Sequence, residues 1–435
     1  MAIFESEPPV QPRSFSVERA SVARRAGISA AVGTGIEFFD FTIYAYLATT
    51  IAPLFFAAHD QMVGLLATLG VYAIGYIARP LGAVIFGRLG DQRGRRPTLL
   101  LTVTLMGVAT ALTGLLPTYA TIGVAAPILL TVLRIGQSIA AGGEIGGAAV
   151  LVAESAPRKR RGILGSSTSL GATIGATLAA VVVGVVSLLP GHALATWGWR
   201  ATFLISVPLL IVCLIYRLRV EESPIFQQMV AEHTPVKAPV SGVLARRKKG
   251  LLKVALITFA VTTTGKLSSL YLVVHFAELG YPVSVSVWFA ASFTLASATV
   301  MVYAGHLSDQ WGRRRIMTIG FGGFIALAIP AYLLMDVNLI AAAVLVLILN
   351  LFHGLNLAVY FTAFAEQFPN EFRYTGVALG YNLGSVIGGG AASLVATALV
   401  ASTGIAISPS FYIVFAAVIG LATLGTLRDR SQAEL

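Results

Sequence analysis

Apolar runs of about 20 residues, separated by short polar breaks, recur along the whole chain. They fall at 30–55, 62–87, 98–117, 121–153, 163–189, 200–217, 252–278, 284–306, 316–335, 338–365, 374–402 and 408–427. Each is long enough for a helix to cross the roughly 30 Å hydrocarbon layer of a bilayer. In lipid every backbone polar group must be satisfied within the protein, which a helix does by itself. The pattern therefore predicts an all-α membrane protein with twelve transmembrane helices, spans one to twelve, six in each half.

Composition agrees: 56% of residues are apolar and 11% charged, and the mean hydropathy of +0.82 is too high for a water-soluble core of this size. The basic residues then set the orientation. Arg13, Arg19, Arg24 and Arg25 precede span one; the clusters within 88–96, 158–161, 217–253 and 313–315 follow even-numbered spans; Arg428 and Arg430 follow span twelve. Loops on the other face lack Lys and Arg, apart from Arg200 at the start of span six. Because Lys and Arg are retained on the cytoplasmic side, both termini are predicted to be cytoplasmic. The net charge of +11 fits this topology and anionic headgroups better than nucleic acid. Residues 1–11 are acidic and lack an apolar core, so no cleavable signal peptide is expected. The single Cys213 excludes an intramolecular disulfide and a thiolate metal cluster. The expected division is a cytoplasmic segment 1–25, a six-helix bundle 26–217, a cytoplasmic linker 218–250, a second bundle 251–428 and a tail 429–435.

The halves are copies. Gly87-Arg-Leu-Gly-Asp91-Gln-Arg-Gly94-Arg95-Arg96 returns 218 residues later as Gly305-His-Leu-Ser-Asp309-Gln-Trp-Gly312-Arg313-Arg314. Glu154 with Pro157 and Arg161 returns as Glu366 with Pro369 and Arg373. Internal duplication within apolar sequence points to a carrier built from two similar bundles. The glycines suit a tight turn with positive φ, the Asp can face a helix N-terminus, and the arginines can clamp a carboxylate. Asp91, Arg95, Arg96 and Glu154 with Arg161 are expected to latch one half at the cytoplasmic surface. Asp309, Arg313, Arg314 and Glu366 with Arg373 are expected to latch the other.

The repeated turn resembles the signature loop of the major facilitator superfamily. Further stretches resemble its metabolite:H+ symporter family: Glu37-Phe-Phe-Asp40-Phe in span one, Arg79-Pro80-Leu-Gly82 in span two, and Arg134-Ile-Gly-Gln137 with Gly142-Gly143-Glu144 in span four. Glu221-Glu-Ser-Pro224, Arg373-Tyr374-Thr-Gly376 and Tyr381-Asn382 extend the likeness over nearly the whole chain, nearest to the shikimate, alpha-ketoglutarate and proline/betaine transporter group. Phe38 and Phe39 stand for the family's Trp and Tyr, Ser138 for a Gly, and Gln92-Arg93 departs from the usual loop. The resemblance implies the major facilitator fold and proton-coupled symport, without naming the solute. Span five lacks the Gly-Pro-x-x-Gly-Gly element of drug antiporters, so uptake is expected over export. No coiled coil like that of osmosensing relatives is expected.

Charges within the spans are costly and mark function by default. Asp40 and Glu37 sit near the middle of span one, on nearly one face. By the resemblance Asp40 is the expected proton site, Arg134 its partner and Glu37 the runner-up; a static ion network is the competing reading. Arg79 and Lys266, halfway along spans two and seven, would clamp an anionic solute between the halves. Further solute contacts are expected from Tyr44, Gln137, Glu144, Asn350, His353, Asn356, Tyr360, Tyr381 and Asn382, although interhelical bonding would equally explain the polar stripe of span ten.

No P-loop is present, and His59, His192, His233, His275, His306 and His353 lack metal-ligand spacing, so an ATP-driven pump, a metal site and an enzyme are not indicated. The expectation is a monomeric, multi-pass carrier of the inner membrane, with no cofactor beyond the coupling proton. It would take up a small organic anion, shikimate-like, aromatic or dicarboxylic, by alternating access. Uptake of a zwitterionic osmolyte such as betaine or proline, and a uniporter or exporter of the same fold, stay open.

Overall fold

The computed structural model describes residues 12–56, 61–188, 193–232, 239–269, 271, 283–335, 337–427 and 429, with side chains left aside at 12–20, 61, 62, 65, 283–287 and 339. His59, His192, His233, His275, Arg428, Arg430 and the outer parts of the expected terminal segments lie outside the described residues.

Among the described residues, eleven helices are long and apolar enough to span a bilayer, and a bent pair makes a twelfth. That pair is span one, Ser21–Tyr46 and Ala48–Phe55, meeting at 66°. Its helix begins at Pro12, so residues 12–25, set apart on charge, are continuous with the span. The others are Gln61–Arg93 (two), Arg95–Leu115 (three), Ala125–Ser155 (four), Arg161–Ser187 (five), Leu194–Leu218 (six), Lys248–Leu267 (seven), Val283–Trp311 (eight), Arg313–Leu333 (nine), Leu339–Ala365 (ten), Asn370–Thr403 (eleven) and Ser408–Thr426 (twelve). Large apolar side chains cover the outside: Ile77 is 66% exposed and Leu66 59%. Such a surface belongs against lipid, which makes the chain a multi-pass membrane protein.

The halves meet along spans two with eleven and five with eight. Small residues bring the helices together. A Cβ on Gly146 of span four would lie 2.6 Å from the Ala378 Cα of span eleven, so that crossing admits only glycine. Span eleven is interrupted: Val386–Gly390 wind as a π-helical turn beside the molecule's centre. Between the halves run two short helices, Pro224–Ala231 and Pro239–Arg246.

Candidate functional site

The cassettes turn as glycine allows. Gly94 has φ +114° and Gly312 +89°, ending spans two and eight and starting three and nine. Three residues before each glycine, the Asp reaches into the other half. Asp91 accepts from the backbone N–H groups of Tyr374 (3.2 Å) and Thr375 (3.0 Å) and from the Thr375 hydroxyl (2.7 Å), capping span eleven. Asp309 accepts from the N–H groups of Gly162 (2.7 Å) and Ile163 (3.1 Å), capping span five. A carboxylate at a helix N-terminus satisfies orphan donors and meets the positive end of the dipole.

Arginines complete both knots. Arg95 pairs with Glu154 at 3.1 Å and Asp91 at 3.4 Å; Arg313 pairs with Glu366 at 3.3 Å and Asp309 at 2.9 Å. The second arginines are exchanged relative to the expectation: Arg373 reaches Glu154 at 3.0 Å, and Arg161 reaches Glu366 at 3.6 Å. The helix that each Asp caps carries its own leading arginine across the interface, which is why the partners swap. Burial holds the Glu366 carboxyl above its ordinary value, against the pull of Arg313 and Arg161. Arg96 and Arg314 stay outside the knots. Arg96 donates to the Leu218 carbonyl at 2.8 Å, while its backbone N–H and that of Arg95 give to Glu222 at 3.1 and 3.0 Å. The Arg314 N–H faces Asp429 at 3.5 Å. Glu222 and Asp429, which follow spans six and twelve, were missing from the sequence-based latch; their place just past the last apolar run of each half was the available signal. Four cross-half contacts of this kind close the cassette end of the molecule.

Deeper in the first bundle, three acids each hold an arginine. Asp40 pairs with Arg134 at 3.3 Å, and Glu37 with Arg79 at 3.3 Å. Glu144 pairs with Arg217 of span six and accepts from the Thr102 hydroxyl at 2.7 Å. Arg217 was read from sequence only as the start of the basic cluster 217–253 that follows span six, and it is a buried helix residue. A Cβ on Gly33 would collide with its guanidinium, so the glycine makes room for the pair. Gln137 bridges Arg134 to the Thr110 hydroxyl, giving to the latter at 2.6 Å.

A central cavity of about 170 Å³ lies between the halves, on the inner side of the knots. Arg79, Lys266, Asn350, His353, Tyr360 and Tyr381 all reach its wall. Lys266 is half-buried, and among the described residues it has no carboxylate partner. Asn350 donates to the Ser268 carbonyl at 3.0 Å, while the buried His353 Nδ1 has no hydrogen-bond partner among the described residues. The volume is below the roughly 300 Å³ where drug-sized sites begin, so the space suits a small metabolite.

The other expected contacts lie outside this wall. Tyr44 gives its hydroxyl to the Thr68 carbonyl at 3.2 Å and lies 4.1 Å beneath the Arg134 guanidinium. Asn382 gives to the Gly142 carbonyl at 2.8 Å, tying span eleven to span four. Asn356 is fully buried toward Gly320 of span nine. Gln137 and Glu144 are taken by the ion pairs. Asp40 and Arg134 are also absent from the wall, set one layer behind it.

Two six-helix halves around a small central cavity, tied at one end by duplicated ion-pair knots, define a membrane transporter. The chain belongs to the Major Facilitator Superfamily, whose description it matches over residues 30–392 and 254–434. It is 35% identical to the inner membrane metabolite transport protein YhjE of Escherichia coli (strain K12), covering 93% of this chain and 94% of that one. It is 32% identical to the proline/betaine transporter of the same organism (98% and 88% covered) and 32% to its shikimate transporter (95% and 96%). Among solved structures, the proton:xylose symporter XylE bound to 6-bromo-6-deoxy-D-glucose superposes with a TM-score of 0.76 at 16% identity, over 95% of this chain and 97% of that one. That likeness is one of fold. Transporters of this superfamily are not enzymes.

Proposed function

We infer that this transporter takes up a small organic anion together with protons. The observation that carries the reading is Lys266: a cation at mid-depth in the second bundle, facing the cavity with no carboxylate partner among the described residues, across from Arg79. Leaving such a charge unpaired in a membrane protein is costly unless a ligand completes it. A carboxylate between Lys266 and Arg79 would do so, with Asn350, His353 and Tyr381 for its remaining polar groups. Asp40 is assigned as the proton site. Protonation frees Arg134 and leaves the centre one charge more positive, which favours an incoming anion. With the knots on the cytoplasmic side, this is the state closed to the cytoplasm. Opening it requires both cross-half caps to break, the rocking step of alternating access.

A second reading has support of its own. Phe38, Tyr46, Tyr76, Tyr360 and Tyr381 line the same cavity, and aromatic faces suit a quaternary ammonium. Together with a relative named as a proline/betaine transporter, this supports a zwitterionic solute with its carboxylate on Lys266. The test is proton-gradient-driven uptake into proteoliposomes with shikimate, dicarboxylates, aromatic acids and betaine, recording external pH. Accumulation of an acid with external alkalinisation supports the anion reading. Betaine alone supports the second, and exchange without proton movement contradicts both.

A further inference from the structure

Asp40 and Arg134 lie behind the cavity wall, whereas Arg79 and Lys266 form part of it. If the proton site and the solute site are distinct, something must make each sensitive to the other. Between them stands Phe41, a buried ring on which both guanidiniums rest: Arg79 Cζ is 4.0 Å and Arg134 Cζ 4.7 Å from its centroid. Two like charges sharing one ring repel; the carboxylates of Glu37 and Asp40 offset that repulsion, and the ring's negative face adds to them in a dry site. The rest of the layer is aromatic too. Tyr76 and Tyr72 meet Phe41 edge-on at 6.1 and 6.4 Å, Tyr72 stacks on Tyr44 at 6.2 Å, and the Tyr72 and Tyr76 hydroxyls are 3.5 Å apart. Tyr76 faces the cavity, and Arg79 Cζ lies 4.8 Å from its ring as well.

We propose that Phe41 is the coupling residue of this carrier, a positioning group that holds the proton-side arginine and the solute-side arginine in electrostatic contact. The proposal rests on the proton-coupled reading above. With Asp40 ionised, Arg134 is neutralised and Arg79 is balanced by Glu37. When Asp40 takes a proton, the Arg134 charge is released one ring away from Arg79, which shares the cavity wall with the cation Lys266. An anion in the cavity relieves this excess, so proton and anion bind with positive linkage, each raising the other's affinity by the same factor. Such couplings are typically about 5–150-fold. A non-aromatic side chain at 41 keeps the volume but not the π face. The guanidiniums then separate, and the linkage falls even though every ionisable group is still present.

The test compares wild type, Phe41→Leu, Phe41→Met and Phe41→Tyr in proteoliposomes, with labelled shikimate and labelled glycine betaine as probes. Two quantities are read: accumulation driven by a proton gradient, and solute counterflow at equal pH on both sides. For the Leu and Met variants the proposal expects at least a tenfold loss of accumulation while counterflow persists, and a pH dependence of probe affinity that is flattened. Phe41→Tyr, which keeps the π face, restores both. Leu and Met variants that accumulate as wild type does overturn the proposal. So do variants that lose counterflow along with accumulation, since that makes Phe41 a packing residue. Failure of wild type itself to accumulate either probe along a proton gradient would instead overturn the underlying symport reading, and the two failures are distinguishable.

Discussion

At the cassette end the two halves answer each other residue for residue: Asp91 caps span eleven as Asp309 caps span five, and Arg373 joins Glu154 as Arg161 joins Glu366. Midway along the helices the correspondence is gone. The first bundle buries three acid–arginine pairs, and the second presents Lys266 and His353 to the cavity with no acid beside them among the described residues. Duplication has been kept where the halves must open and close as equals. It has been lost where the first half pairs its buried charges and the second leaves Lys266 without an acid among the described residues, the charge that the proposed function gives to a solute.

The largest expected effect concerns the balanced half. Arg217→Ala strands Glu144 in the bundle, and breaking a buried pair costs about 3–5 kcal/mol. Thermal unfolding in detergent should show a large loss of stability, mostly recovered when Glu144→Leu is added. A single variant as stable as wild type would mean that the pair is not structural. Next comes the unbalanced half. Lys266→Ala should weaken apparent affinity for the transported acid at least tenfold, as expected for a charge-assisted contact of about 1.5–3 kcal/mol, with partial return in Lys266→Arg. Unchanged affinity in direct binding would remove the contrast between the bundles.

The smallest effect tests the symmetry. Asp91→Asn and Asp309→Asn each weaken one helix cap, about 1 kcal/mol or roughly fivefold in population. Spin labels at Arg93 and Arg315, in a Cys213→Ser background, should report a longer-distance population of similar size in both. A shift in one variant alone would show that only one cap governs closure.

The sequence made much of this plain because the information was local. Twelve apolar runs gave the spans, and Gly94 and Gly312 announced their positive φ by sitting in a duplicated turn. What it hid was distance. Nothing near Asp91 says that its partners are at 374 and 375, and the swap of Arg161 and Arg373 follows only from how the helices cross. Arg217 stood at the margin of a basic linker and so was read as topology, although Glu144 in span four required a cation. The π-helical turn at 386–390 had no signal beyond three consecutive glycines. Spacing along span ten placed Asn350, His353 and Asn356 on one stripe, but helical rotation at three-residue steps carries Asn356 away from the cavity that the other two line.

The central claim is that Asp40 carries the proton that drives solute entry. It is tested most directly by imposing an inward proton gradient on proteoliposomes containing wild type or Asp40→Asn and following labelled solute with external pH. The account predicts that wild type concentrates the solute and alkalinises the outside, whereas Asp40→Asn equilibrates the solute without concentrating it and moves no protons. An Asp40→Asn carrier that still concentrates solute along the gradient would contradict it.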